Sequence, residues 1–152
     1  MFEQMKVHEW MTTPAITVLP NIPLSVAREF MREYGVRRLI VTENGRVMGI
    51  VTIGDVREAS PSDATTLSIW EVNFLWSKLT VEQVMTHAAI TIDPDASIID
   101  AAELMLEHKV SGLPVIDSHH VLVGVISEAD IFRMLVKSRL SSGTSMPVLT
   151  SA

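Results

Sequence analysis

The sequence predicts an α+β fold in which two β-α-β-β-α units pack about a pseudo-two-fold axis, and three observations carry the prediction. The first is an internal repeat. A shift of 74 residues lays Met11-Thr12 on Met85-Thr86, Ala15-Ile16-Thr17 on Ala89-Ile90-Thr91 and Pro20 on Pro94. It also pairs Ala27 with Ala101, Met31 with Met105, Val36 with Val110, Leu39 with Leu113 and Val41 with Val115. One extra residue between Asp117 and His120 lengthens the shift to 75, which lays Gly49 on Gly124, Thr52 on Ser127 and Asp55 on Asp130. Two copies of so long a period make a duplication, not a solenoid. The second observation is that strand and helix patterns follow the same order in both copies. The third is a pair of seven-residue stretches, Gly49 to Asp55 and Gly124 to Asp130. Each runs glycine, two β-branched residues, a hydroxyl, two spacers and an aspartate at the head of a helical pattern.

Taken in order, Ile16-Thr17-Val18 and Ile90-Thr91-Ile92 read as short strands closed by Pro20 and Pro94. A helix is expected from about Pro23 to Tyr34, stopped by Gly35, with Leu24, Ala27, Met31 and Tyr34 as its apolar stripe. Its counterpart is expected from Ile98 to His108 after Ser97 as N-cap, with Ile98, Ala101, Met105 and His108 on one face. Two apolar strands follow in each copy. Leu39 to Thr42 and Val47 to Ile53 flank the hairpin signal Asn44-Gly45, while Leu113 to Ile116 and Val121 to Ile126 flank Asp117-Ser118-His119-His120. A last helix is expected to start at Asp55 and at Asp130. Apolar residues along both hairpins call for burial on both faces, which packing one copy on the other supplies. The boundaries are then 7–60 and 80–138 for the copies, 61–79 for an inter-repeat helix broken off by Ser60-Pro61-Ser62-Asp63, and 139–152 for a flexible tail. The inter-repeat helix carries Trp70, Phe74 and Trp76, which either pack on the module or form a partner surface.

A chain of 152 residues can bury a sizeable core without staples. Having no cysteine, it has no disulfide, thiolate zinc site or cysteine nucleophile, which fits a reducing cytoplasm. The start Met1-Phe2-Glu3-Gln4-Met5-Lys6 lacks a signal-peptide pattern, and no apolar run approaches the ~20 residues that span a bilayer. The formal net charge is −6, with basic residues scattered apart from Arg37-Arg38 and the run from Arg133 to Arg139. Such a chain is a poor nucleic-acid binder, because that affinity rests on neutralising phosphates. His8, His87, His108, His119 and His120 offer only one adjacent pair, in a turn, so no metal site is expected.

A strand that ends in a hydroxyl and turns into a helix gathers a hydroxyl, a carboxylate and free backbone N–H groups. That place can hold a polyhydroxylated anionic molecule. The same residues also spell a capping box, with Thr52 and Ser127 as N-caps and Asp55 and Asp130 as the reciprocating third residues. The motif alone leaves both readings open.

Val84-Met85-Thr86 near the start of a copy, Val110-Ser111-Gly112-Leu113-Pro114-Val115-Ile116-Asp117 in its middle and Gly124-Val125-Ile126-Ser127-Glu128-Ala129-Asp130 near its end resemble the cystathionine β-synthase (CBS) domain. Two in tandem resemble the CBS-domain pair, or Bateman module. The resemblance implies a regulatory module, not an enzyme, that binds an adenosyl ligand such as AMP, ADP, ATP, S-adenosylmethionine or NAD between the repeats. By the resemblance, Thr52 and Asp55, and Ser127 and Asp130, would hold ribose. Ile16-Thr17 and Ile90-Thr91 would lie against the base, and Arg37 and Arg38 would meet phosphate. Family sites combine ribose residues of one repeat with base and phosphate residues of the other. The second copy has Ser111-Gly112 where the first has Arg37-Arg38, and Pro114 where the first has Ile40, so the Asp55 site lacks the obvious phosphate partner. The resemblance further implies a homodimer formed through helical faces, with Phe132, Met134 and Val56 as apolar candidates, and a separate regulated protein. Two rivals remain: a ligand-free dimerisation module, and a piece related to inosine-monophosphate dehydrogenase. Neither that enzyme's (β/α)8 barrel nor its cysteine nucleophile is present here.

Overall fold

The computed structural model describes residues 2–61, 66–87 and 89–141. Ser62-Asp63 of the expected break, and the expected tail from residue 142 on, lie outside them. In chain order the elements are α1 (Val7–Trp10), β1 (Thr17–Val18), α2 (Leu24–Tyr34), β2 (Arg38–Glu43), β3 (Arg46–Thr52), α3 (Ile53–Ala59), α4 (Ile69–Lys78), α5 (Val81–Val84), β4 (Thr86–His87), α6 (Ile98–His108), β5 (Gly112–Ile116), β6 (Leu122–Ser127) and α7 (Glu128–Ser141).

Local chemistry sets most of these limits. Gly35 ends α2 in the left-handed conformation (φ 64°), which costs glycine nothing, and its N–H donates to the Met31 and Arg32 carbonyls. Asn44 and Gly45 both take positive φ in the first hairpin turn, as a two-residue turn between twisted strands requires. Ser97 and Asp100 close a capping box at the head of α6. The last helices begin at Ile53 and Glu128, two residues before the expected Asp55 and Asp130. Thr52 and Ser127 sit at the N-cap, so the aspartates fall in the first turn. The second copy's first strand shrinks to one parallel bridge, Ile92 to Val115, where the first copy pairs β1 with β2 through Val18 and Val41. Tyr34 and His108 leave their expected apolar stripes and are exposed.

The copies exchange their leaders. The leader of the second copy, β4, adds to the first sheet in the order β1-β2-β3-β4, and Thr12 of the first leader bridges Val125 in β6. The helices are exchanged too. Val81 and Met85 complete a core built from Val18, Leu24, Ala27, Met31, Leu39, Val41, Val51 and Val56, while Val7 completes one built from Ile92, Ile98, Ala101, Met105, Leu113, Val115, Ile126 and Met134. The backbone repeats the pattern: Val7 N–H donates to Ala96 and Val81 N–H to Ile22, at 2.9 and 3.0 Å. Burying each of these fully covered valines is worth about 1.5–3 kcal/mol, so each half holds the other's leader in place.

The motif glycines make this exchange fit. A Cβ on Gly49 would stand 2.3 Å from the Thr86 carbonyl oxygen, and one on Gly124 would stand 2.9 Å from that of Thr12. On the outside, Met134 and Val56 are buried in the two cores and leave the expected dimer face, on which Phe132 alone of the three is exposed. Trp76 packs on the first core with Arg28 over its ring, 5.5 Å from the centroid, whereas Trp70 and Phe74 are exposed.

Candidate functional site

Both strand–helix junctions form capping boxes. Thr52 Oγ1 accepts from the Asp55 N–H at 3.2 Å, and Asp55 Oδ2 accepts from the Thr52 N–H at 2.8 Å. In the second copy the Asp130 N–H donates to Ser127 Oγ at 3.3 Å, and Asp130 Oδ2 accepts from the Ser127 N–H at 2.9 Å. A cap therefore exists at each aspartate.

The aspartates differ beyond the cap. Asp55 is half-buried, whereas Asp130, at 2% exposure, is the buried charged residue among those described. Asp130 Oδ2 takes a further bond from the Ser127 hydroxyl at 3.0 Å. Its Oδ1 accepts from the Thr12 hydroxyl at 3.0 Å and from Arg133 Nη2. Thr12 arrives on the exchanged leader and Arg133 lies one turn along α7, so two segments far apart in sequence converge on one carboxylate.

Between the junctions runs a cleft of about 1060 Å³. Its lining includes Ile16, Arg37, Arg38, Thr52, Asp55, Ile90, Ser111, Gly112, Pro114, Ser127 and Asp130 from the sequence-derived candidates. Thr17 and Thr91 are exposed and stand outside the lining. The sequence reading missed Thr12, His108, Lys109, Glu128 and Arg133, which also line it. Two signals could have found some of these. Thr12 and Thr86 are equivalent hydroxyls in the repeated Met-Thr pair, and Arg133 sits three residues after Asp130 on a helix, within side-chain reach.

Arg38 crosses from the first repeat to the second. Its Nη2 donates to Ser111 Oγ at 2.7 Å, and its Nε and Cδ would lie 2.7 and 2.8 Å from a Cβ on Gly112. Burial pulls the guanidinium below its ordinary pKa, against the upward pull of Glu128 and Asp130. The group stays charged, so the cleft holds a partly dehydrated cation beside the Asp130 junction. A guanidinium fork there is suited to an anionic group, and the buried carboxylate to hydroxyls.

The chain is 34% identical over 130 residues to homoserine O-acetyltransferase of Methanococcoides burtonii, which is 85% of this chain and 24% of that relative. It thus spans about a quarter of that relative's length. Among solved structures it is similar to the CBS domain pair of protein MJ0100 in complex with 5′-methylthioadenosine and S-adenosyl-L-methionine. That match has 25% identity and a TM-score of 0.73, and covers 88% of this chain and 98% of the other. It is also similar to CBSX2 in complex with AMP, at 26% identity and a TM-score of 0.72, covering 89% and 98%. The CBS-domain model matches at residues 7–62 and again at 81–137, the two halves that exchange leaders across the cleft. The chain belongs to the CBS-domain family and carries a CBS-domain pair.

Proposed function

We propose that this CBS-domain pair is a regulatory sensor of an adenine nucleotide (AMP, ADP or ATP) that passes its state of occupancy to a separate protein. The observation that carries the reading is the buried Asp130 carboxylate, set at the cleft wall opposite an arginine of the other repeat. A carboxylate that accepts hydrogen bonds from hydroxyls answers a ribose, and Arg38, with the exposed Arg37 beside it, answers phosphate. Ile16 and Ile90, with Pro114, offer apolar surface for a base. The solved CBS pairs that hold AMP, or S-adenosyl-L-methionine and 5′-methylthioadenosine, support the adenosyl class. The role in this reading is regulatory.

Isothermal calorimetry with AMP, ADP, ATP, S-adenosylmethionine and NAD, together with native mass spectrometry of freshly purified protein, tests the reading. Binding of at least one phosphate-bearing nucleotide is expected. If no adenosyl compound gives heat or shifts the melting temperature, the sensor reading falls and the capping-box reading stands. We further propose a cytoplasmic homodimer, supported by the exposed Phe132, Leu135 and Val136 on α7. An interface of standard size buries roughly 1,200–2,000 Å² in total. Light scattering at tens of micromolar should give twice the chain mass, and a monomer would overturn the dimer.

A further inference from the structure

We infer that Arg133 is an internal competitor for the ribose acceptor, and that it makes the Asp130 half of the cleft selective for phosphate-bearing ligands over neutral adenosine. The inference rests on the adenosyl reading above. An ionised carboxylate offers about four acceptor positions. Asp130 fills four: the Ser127 N–H and hydroxyl on Oδ2, the Thr12 hydroxyl and Arg133 Nη2 on Oδ1. A ribose diol can therefore reach Asp130 only by displacing a donor.

The four donors are not equally held. The Ser127 N–H belongs to the cap of α7, and the Ser127 hydroxyl also accepts from the Asp130 N–H. Thr12 is exposed, but its N–H and carbonyl pair with Val125 at 2.8 and 3.0 Å, so its backbone stays in place and only the short hydroxyl can turn. Arg133 is the loose one. Its side chain is 58% exposed while that of Asp130 is 3% exposed, and its long stem can rotate toward the cleft it already lines. Displacing it removes a charge-assisted bond from a buried carboxylate and leaves a guanidinium to be satisfied. Adenosine offers that guanidinium nothing, whereas a 5′-phosphate gives it a new partner alongside Arg38. Of the other charged groups near the junction, Glu128 is an acid and cannot take the place of Arg133 on Asp130, and Arg38 is engaged with Ser111. The first copy has no such competitor: Glu58 stands three residues after Asp55, outside the cleft lining.

The test is calorimetry of adenosine, AMP and ATP on the full chain and on Arg133→Gln, with Arg133→Lys and Arg38→Ala as comparisons. Arg133→Gln should tighten adenosine several-fold and weaken ATP, so that the ratio of adenosine to ATP dissociation constants narrows at least tenfold. Arg133→Lys should recover part of the ratio, and Arg38→Ala should weaken ATP without tightening adenosine. If Arg133→Gln weakens adenosine and ATP equally, the arginine merely positions Asp130, and the inference fails while the sensor reading stands. Unchanged affinities overturn it as well. If the wild-type chain binds none of the three, the sensor reading fails and this inference with it.

Discussion

The two halves of the cleft share a duplicated backbone and differ in charge. The Asp55 half has a half-buried carboxylate that closes a cap. The Asp130 half has a buried carboxylate bound from two segments, with Arg38 and Arg133 around it. The difference begins at one pair of equivalent positions. The 74-residue shift lays residue 38 on residue 112, and these two also touch each other, so they meet across the pseudo-two-fold axis. Two arginines there would put two long side chains and two like charges in one place. Glycine at 112 clears the room that Arg38 occupies. A duplicated site can keep its symmetry everywhere except at the axis, and here the axis is where the cation sits.

The sharpest test of the shared backbone lies in the motif glycines, and it carries the largest expected effect. A methyl group at Gly49 would strike the Thr86 carbonyl oxygen, main chain held in a paired strand, at 2.3 Å. At Gly124 the nearest atom is Met11 Sδ at 2.8 Å, which can swing aside, and the Thr12 carbonyl follows at 2.9 Å. Overpacking of this kind costs about 1–3 kcal/mol. Gly49→Ala is expected at the top of that range or beyond and Gly124→Ala near its lower half, read from urea midpoints at constant slope. Equal losses would show the two leaders to be seated with equal tightness.

The next test breaks the comparison at its carboxylates. Asp130→Asn keeps size and removes charge. A charge-assisted hydrogen bond is worth about 1.5–3 kcal/mol, or roughly 10- to 150-fold in affinity. Asp130→Asn should weaken AMP or ATP at least tenfold in calorimetry while the melting temperature falls by a few degrees. Asp55→Asn should weaken nucleotide less. Were the two changes equal in both readouts, the charge asymmetry would have no bearing on binding.

Much of this is legible in the sequence alone, and what is not has a physical reason. The repeat, the caps at Thr52 and Ser127, the stop at Gly35 and the turn at Asn44-Gly45 are local, because each rests on residues within a few positions of one another. The exchange of leaders is not local. Nothing around Val7 or Val81 says which core will bury it, since an apolar residue in a four-residue helix fits either. The sequence marks Arg38 as a residue that meets phosphate and Gly112 as the place where the second copy lacks one, but their contact across the axis arises only when the halves pack. In the sequence Arg133 is one member of a basic run, although its spacing from Asp130 already places the two side chains together.

A smaller effect sharpens the axis argument. Arg38→Ala should weaken ATP about tenfold and adenosine little, because it removes a contact to phosphate and leaves the ribose acceptor in place. Gly112→Ala should do the same more mildly. Its added methyl would press on Arg38 Nε, Cδ and Cζ, the far end of a flexible side chain that can shift. A few-fold loss for ATP with a near-normal melting temperature is expected. A large loss of stability instead would mean that Arg38 is wedged too firmly to serve a ligand.

The smallest expected effect separates the two hairpin turns. In the first, Asn44 and Gly45 hold the chain by their positive-φ backbone conformation. In the second, with its extra residue, the Asp117 carboxylate accepts from the His119 and Val121 N–H groups at 2.8 and 3.0 Å. The Val121 N–H above all, then that of His119, hold the Asp117 carboxyl below its ordinary value. The sign follows from linkage. A carboxyl depressed in the folded chain stabilises it above the unfolded value of about 3.9, and that contribution is lost as pH falls through the lower folded value. Asp117 sits in a surface turn, so the effect is local, and amide hydrogen exchange suits it better than global unfolding. Acidification from about pH 6 to about pH 3 should raise the opening rate of the Val121 amide relative to that of Arg46, after correction for intrinsic exchange. Asp117→Ala should show fast Val121 exchange at both pH values. Equal protection of Val121 in wild type and variant at pH 6 would show that the second turn, like the first, is held by its backbone conformation.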